Sequence, residues 1–504
     1  MTNRRVVGCV LGLFLLSVLV RVPQLNRPLS YHHEFNPAMF LVTLEIWAEA
    51  GASSYSFAPV MSFDGEANKG IANPPIEHGI TERDGEFYYL TFPAGAYLLP
   101  HIAFKALRVE PTPLALQVLN LIIHLLCALL VAGIVLAMLP DDIGPELERT
   151  RAAVVAGSLY LFAPALLWFQ GNAYVFDALV LLFLLIVLAA AAPMLADPDR
   201  INLVSLAILA CATVAGVLTE YVAALLALAV FLSALWNART DLRYLWIAGA
   251  TTVGVVAAVG LTLWQYSSLV GLDTYIEFLR LRFLERSQTP SSHGTIDAGL
   301  IQVIKWYAFG FLPTLLFLAS LLFLARGDSK SHPLARTEKV VLLLGLAAVL
   351  MHHALLFGWT VRHDYSVIKA GIPLAILGGS LFARTRDRGR RWVVRVGVPL
   401  VLAVGALQFQ FINRPGPVNI SGLRYDHMET IGRTIAEHAR PDDLVFLSGH
   451  APMPQILYYS GRNIQVVERK DEALAWLRAR GISNGLYVGV VGGEIREVER
   501  IPED

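Results

Sequence analysis

Charge is scarce in this chain: 16% of its 504 residues are Asp, Glu, Lys or Arg, against about 25% in an ordinary soluble domain. With 55% hydrophobic residues and a mean hydropathy of +0.55, that shortage excludes a water-soluble globule of this length. Forty basic and forty acidic side chains leave no net charge, so the overall balance points away from a nucleic-acid partner. Only three cysteines occur, Cys9, Cys127 and Cys211, all inside apolar runs, which excludes a disulfide framework and a cysteine metal site. There is no internal repeat and no Gly-rich phosphate loop following a strand.

What the chain does have is long apolar runs. A bilayer core needs about 20 mostly apolar residues per helix, and such runs recur through residue 412. They fall near 6–22, 113–139, 152–170, 174–195, 201–218, 221–236, 244–268, 303–325, 340–358, 366–383 and 394–412, predicting about eleven transmembrane helices. Arg4 and Arg5 before the first run resemble the start of a signal peptide, but no small-residue cleavage site follows it, so an uncleaved span is expected. Basic residues in short loops stay in the cytoplasm. With a cytoplasmic N-terminus, Arg4, Arg5, Arg149, Arg151, Arg200, Arg239, Arg243, Arg336, Lys339 and the cluster from Arg384 to Arg395 all fall inside.

The expected architecture is therefore a polytopic α-helical membrane domain, 1–412, with long outer loops at 23–112 and 269–302, followed by a small extracytoplasmic α/β domain at 420–504. In the tail, residues 443–448, 463–467 and 485–491 read as strands, separated by helices near 426–440, 452–460 and 471–480. Residues 273–286, where Tyr275, Phe278 and Phe283 alternate with Arg280, Arg282 and Arg286, read as an amphipathic helix in the outer interface with its arginines on lipid head groups.

A charged group in hydrocarbon costs at least ~2.5 kcal/mol, so such groups face a bundle interior, a wet cavity or one another. In this topology they gather at the outer side. His32, His33 and Glu34 follow the first span, Asp177 opens the fourth, and Glu220 sits in a turn between two short spans. His352 and His353 lie in the ninth span, with Arg362-His363-Asp364-Tyr365 after it and Lys369 one turn into the tenth. Asp177 and Glu220 are read equally as helix caps or as cavity residues. Arg362 and Lys369, seven residues apart, return to one helical face and present two positive charges suited to a phosphate. Glu34, bracketed by Pro28 and Pro37, is held against the membrane surface, and a partly desolvated carboxylate beside histidines suits a general base.

Arg27-Pro28 with His33-Glu34 after the first span, Phe92-Pro-Ala-Gly95 before the second, Asp177, and Arg362-His-Asp-Tyr365 before a late span together resemble glycosyltransferases of the GT-C class. The resemblance is to the members related to protein mannosyltransferases and to the aminoarabinose and rhizobial lipopolysaccharide sugar transferases. It implies transfer of a sugar from a polyprenyl-phosphate donor to a glycan, lipid or protein acceptor on the outer face, with inversion. It implies catalytic roles for Glu34 as base and His33 as its orienting partner, and Arg362, Lys369 and Arg282 on the lipid phosphate. His363, Asp364, Tyr365, Asp177 and Glu86 are further cavity candidates. The class usually carries an acidic pair whose aspartate is the base; here the pair is His33-Glu34, and Glu66 or Glu86 remain alternative bases.

No cofactor is required by this chemistry. A divalent metal on His33, Glu34, His363 and Asp364 has suitable ligand types without a diagnostic spacing. The rival reading is a transporter or lipid flippase with an outward-facing polar cavity. Against it stand the bare middles of most spans and the lack of an inverted repeat.

Overall fold

The computed structural model describes residues 2–31, 33–63, 65, 71, 80–143, 145–288, 295–326, 333–385, 392–412 and 426–502. The sequence candidates His32 and Glu66 lie outside the described residues. The chain divides into two compact units, the first comprising Met1–Leu25, Gln117–Leu261 and Phe283–Arg414, the second Asn26–Leu116, Thr262–Arg282 and Pro415–Asp504.

In chain order the elements are α1 (Thr2–Arg21), α2 (Phe35–Ala50), β1 (Ile80–Arg83), β2 (Glu86–Tyr89), α3 (Gly95–Leu107), α4 (Pro113–Met138), α5 (Glu146–Phe162), α6 (Pro164–Phe169) and α7 (Phe176–Ala196). Then come α8 (Leu203–Thr219), α9 (Val222–Asn237), α10 (Tyr244–Val270), α11 (Leu272–Ser287), α12 (Ile296–Arg326), α13 (Arg336–Leu355), α14 (Phe357–Arg362), a 3-10 run Asp364–Ala370, and α15 (Gly371–Ala383). A single π turn, Val393–Gly397, leads into α16 (Val398–Ile412). The tail holds α17 (Asp426–His438), β3 (Leu444–Ser448), α18 (Pro454–Ser460), β4 (Ile464–Val466), α19 (Lys470–Arg480), β5 (Asn484–Val491) and β6 (Glu494–Pro502).

Among the described residues, eight helices are long and apolar enough to cross a membrane, and α8 and α9 are shorter apolar helices. Every expected span falls on helix, and the protein is a polytopic membrane protein. The third expected span, 152–170, is not one rod. Ala163 is extended (φ −63, ψ 125) and Pro164 opens a new helix, because proline lacks the N–H that would continue α5. The ninth, expected at 340–358, ends at Leu355 and resumes as α14.

In the first unit, α15 packs closely on α5 through small residues. A Cβ at Gly379 would stand 2.8 Å from the Ala152 carbonyl oxygen, and one at Gly378 would stand 2.2 Å from Leu159 Cδ1. Close backbone approach of this kind drives helix association where lipid supplies no hydrophobic force.

The second unit is built from three separated chain segments. Its four-stranded sheet has the order β4-β3-β5-β6, with β3 parallel to β4 and β5, and β6 antiparallel to β5. The three strands and three helices expected in the tail are present; β6 was not anticipated. Leu444, Phe446, Leu477, Tyr487 and Ile501 form the core with Ile71 from the first loop. Asn463 acts as a backbone mimic, accepting from Phe63 N at 2.7 Å and donating to Phe63 O at 3.1 Å. The Leu29 N–H donates to Tyr459 Oη at 2.9 Å. The hairpin β1-β2 turns on Asp84 (φ 55) and Gly85 (φ 85). Arg83 then reaches the Ser268 and Leu269 carbonyls, at 2.6 and 2.7 Å, near the end of α10.

Candidate functional site

Within the second unit, residues 27–31 and 33–34 make close contacts with one another before α2. The Arg27 guanidinium grips Glu34 bidentately, Nη2 to Oε1 at 2.6 Å and Nη1 to Oε2 at 2.8 Å, and lies 3.5 Å from the centroid of the Tyr31 ring. The Tyr31 N–H donates to Glu34 Oε2 at 2.8 Å. The Glu34 side chain is 1% exposed. Burial pushes its carboxyl above the ordinary range, while Arg27 and the Tyr31 and Ser30 N–H groups oppose that rise. The carboxylate is thus oriented by Arg27 and the turn backbone, a different set of contacts from the His33 pairing expected. His33 stands at φ 58, a left-handed conformation unusual for a residue with a Cβ. It is half-buried, with its ring 5.9 Å from that of Phe35. Glu86, the other described first-loop candidate, accepts from Ser62 Oγ at 2.5 Å beside the hairpin.

In the first unit, the ionisable groups meet at one end of the bundle. Lys369 Nζ and Asp177 Oδ1 form an ion pair with both side chains at most 2% exposed. Asp177 lies in the first turn of α7, and Lys369 in the 3-10 run before α15. Glu220, at the junction of α8 and α9, accepts from Val222 N at 3.0 Å and lies within electrostatic reach of Lys369, Asp177 and Arg286. It therefore does both things considered for it, capping α9 and facing the cluster. His353 Nε2 meets Tyr307 Oη at 2.8 Å, and its Nδ1 lies 3.4 Å from His352 Nδ1 and 3.3 Å from Thr360 Oγ1.

A ladder of rings backs this cluster. Arg286 lies 4.3 Å from the Trp359 ring centroid, Trp359 meets His363 at 4.0 Å, His363 stacks on Tyr365 at 4.9 Å, and Tyr365 meets Phe169 edge-on at 5.8 Å. Arg362 makes two long contacts to Glu285, to its carboxylate at 3.3 Å and to its backbone carbonyl at 3.5 Å, and its side chain is 34% exposed. Asp364 opens the 3-10 run.

Two expectations change. Arg362 and Lys369 do not share a helical face, because α14 ends at Arg362, His363 is extended (φ −127, ψ 110), and Lys369 sits in the 3-10 run. In α11 the arginines do not simply face head groups: Arg282 and Arg286 are buried at 7%, while Leu272, Ile276, Leu281 and Phe283 are exposed. Only Arg280 follows the expectation, exposed and paired with Glu277 at 2.7 Å.

Sequence reasoning passed over Arg21 as a flanking residue. It is fully buried in the first unit, donating to the Leu167 carbonyl at 2.7 Å and to Ser17 Oγ at 2.9 Å, and lying 2.6 Å from His124 Nδ1. Gly171 makes room for it, since a Cβ there would stand 2.6 Å from Arg21 Nε. Asn172 Nδ2 ties the same stretch to the Gln24 carbonyl at 2.7 Å. The lone signal was an arginine ending an apolar run whose helical neighbours include a serine one turn back. Among the described residues, no group of three or more His, Cys, Asp or Glu is placed to hold a metal ion.

No family model and no curated protein sequence matches the chain. Its fold does match solved structures along nearly its whole length. ArnT from Cupriavidus metallidurans bound to undecaprenyl phosphate superposes with a TM-score of 0.61 at 14% identity, covering 96% of this chain and 93% of that one. The Archaeoglobus fulgidus oligosaccharyltransferase in its apo form gives 0.57 at 11% identity, covering 95% and 69%. The archaeal oligosaccharyltransferase AglB from the same organism, in complex with an inhibitory peptide and a dolichol-phosphate, gives 0.53 at 10% identity, covering 96% and 69%. The chain shares the fold of these proteins along nearly its whole length.

Proposed function

We propose that the chain is an integral-membrane glycosyltransferase that moves a sugar from a polyprenyl-phosphate carrier to a glycan, lipid or protein acceptor on the extracytoplasmic face. The observation that carries this reading is the near full-length likeness to ArnT bound to undecaprenyl phosphate, seconded by AglB with a dolichol-phosphate. The basic-residue asymmetry of the loops supports a cytoplasmic N-terminus and an extracytoplasmic second unit.

The chemistry is a single displacement that inverts the anomeric carbon. An acceptor hydroxyl or amine attacks C1, its proton passes to a base, the C1–O bond to phosphate breaks, and the electron pair leaves on the phosphate oxygen. The candidate bases are His33 and Glu34. Glu34 is clamped by Arg27 with both oxygens engaged, which suits holding the turn more than receiving a proton. His33, half-buried in a left-handed conformation that the clamp maintains, is the proton acceptor in this mechanism. The candidate cations for the leaving phosphate are Arg362 and Lys369. Arg362, loosely bound to Glu285, is free to turn toward a phosphate, whereas Lys369 has its charge matched by Asp177 and shapes the site instead. Arg282 is kept as a helper.

The test is transfer from a polyprenyl-phosphate-linked sugar by the purified full chain. His33→Asn should lower turnover by about 10²- to 10⁴-fold without altering thermal stability. Glu34→Gln should lower stability and turnover together. Normal turnover by His33→Asn, with loss confined to Glu34→Gln at unchanged stability, would return the base to Glu34. Failure of the unaltered protein to bind or consume polyprenyl-phosphate carriers would remove the whole reading.

A further inference from the structure

A cleft of about 550 Å³ lies in the second unit, between the C-terminal end of α2 and the second half of α3 with the stretch that follows it. Pockets that hold small ligands span roughly 300–1,000 Å³. The side chains that give this one its chemistry are Trp47, Glu49, His101, Lys105, Arg108 and Glu110. Two cations and two carboxylates therefore face one space. Among the described residues, these four form no hydrogen bond or ion pair through their side chains.

Solvated surface charges would account for that much alone, but two further observations point to a ligand. Trp47 is 1% exposed, and its indole N–H has no hydrogen-bond partner among the described residues. A buried donor left so costs about 1–3 kcal/mol unless something else accepts from it. Arg108 caps α3 at φ 55, ψ 42, the left-handed position where glycine is the unstrained choice. A strained arginine lining a cleft is the pattern of a residue kept for its side chain.

The surroundings identify the ligand as an amphiphile. Ile102 is 61% exposed and Leu107 72%, and residues 108–112 alone separate α3 from the membrane-spanning helix that begins at Pro113. Those five residues reach at most ~18 Å, so α3 is tethered close to the start of an apolar helix long enough to span a membrane, and its exposed apolar side chains suit contact with lipid. Burial and the neighbouring Lys105 hold the His101 imidazole below its ordinary pKa, leaving the cleft with two charges of each sign.

The geometry points to a site for the zwitterionic head group of a membrane phospholipid, with its phosphate on Lys105 and Arg108 and its ammonium on Glu49 and Glu110. His101, edge-on to Trp47 at 5.4 Å, fixes the indole that walls the cleft. This site is separate from the transfer chemistry and does not depend on it. It anchors the second unit against the bilayer surface.

The full-length protein, extracted from nanodiscs of equimolar phosphatidylethanolamine and phosphatidylglycerol, is examined by native mass spectrometry for retained lipid. Phosphatidylethanolamine should be retained about tenfold over phosphatidylglycerol, and soluble glycerophosphoethanolamine should compete for the same site. Arg108→Gly keeps the helix cap, so it should fold with unchanged or higher thermal stability yet lose the preference; Glu49→Gln should weaken it as well. Equal retention of the two lipids by the unaltered protein, or an undiminished preference in both variants, overturns the proposal. No displacement by the soluble head group would show that acyl chains alone are held, and would overturn it equally.

Discussion

Lys369 and Asp177, 192 residues apart in the chain, form a buried ion pair that ties the 3-10 run before α15 to the first turn of α7. At the other end of α15, Arg384 is bound to Glu338 of α13 by two contacts of 2.6 and 2.8 Å, and Ser380 Oγ joins them at 2.5 Å from Glu338 Oε1. The segment is thus pinned at both ends by desolvated charge. Breaking such a pair by removing one partner is far costlier than removing both, because the remaining charge is left without compensation.

Lys369→Met should therefore lower the stability of the detergent-solubilised protein by about 3–5 kcal/mol, read by chemical denaturation. Lys369→Met combined with Asp177→Asn should recover most of that loss. If the double variant is as unstable as the single one, the pair does not act as a unit.

Much of this scaffold was legible in the sequence. Apolar runs with bare centres marked all eight helices long enough to cross a membrane, because a helix in lipid needs nothing but length and hydropathy to announce itself, while the run at 152–170 concealed a break at Ala163-Pro164. The tail strands at 444–448 and 484–491 were equally plain, each being an apolar run bounded by turn residues. The pairings were not legible. That Asp177 meets Lys369, or Glu34 meets Arg27, depends on packing that one-dimensional spacing does not encode. The seven-residue interval from Arg362 to Lys369 misled because it assumed a continuous helix where His363 is extended. The β1-β2 hairpin did have a signal, Asp84-Gly85 between short alternating stretches, which is the two-residue turn that right-handed strand twist favours. Strand β6 was hidden by its charges: in Glu494-Ile-Arg-Glu-Val-Glu-Arg-Ile501 the apolar residues fall three apart, without the two-residue alternation of a strand, and the charges suit an edge strand protected from further pairing.

Arg21 should prove structurally indispensable. Its guanidinium holds the Leu167 carbonyl at the end of α6, Ser17 and His124 together in a space that Gly171 keeps open. Lysine cannot make these contacts from one planar fork. Arg21→Lys should destabilise the protein by about 2–4 kcal/mol, and Gly171→Ala by a comparable amount through the clash with Arg21 Nε. Wild-type thermal stability in either variant would contradict this.

The position of α14, and with it Arg362, depends on Gly358. A Cβ there would stand 1.7 Å from the Gln288 carbonyl oxygen, a backbone atom that no rotamer change can move. Gly358→Ala should displace α14, and in a donor-dependence assay both it and Arg362→Ala should raise KM for the lipid-linked sugar while acceptor dependence stays the same. An alanine variant with unaltered donor KM would show that Arg362 is not held through this contact.

Glu45, on α2, provides a pH signature for the second unit. Burial, and then the neighbouring Glu49, raise its carboxyl from 4.5 to about 8. A carboxyl whose pKa is higher folded than unfolded binds a proton more tightly in the native state, so its contribution favours folding at low pH. That contribution is present in full below about 4.5 and is lost progressively as pH rises through 8. Glu45→Gln, which cannot ionise, should leave thermal stability unchanged at pH 4.5 and raise it relative to the unaltered protein at pH 8.5. Melting curves across that range decide the matter: a variant less stable than the parent at pH 8.5 would mean that the ionised carboxylate is compensated in the native state, and that its charge is part of how α2 is held.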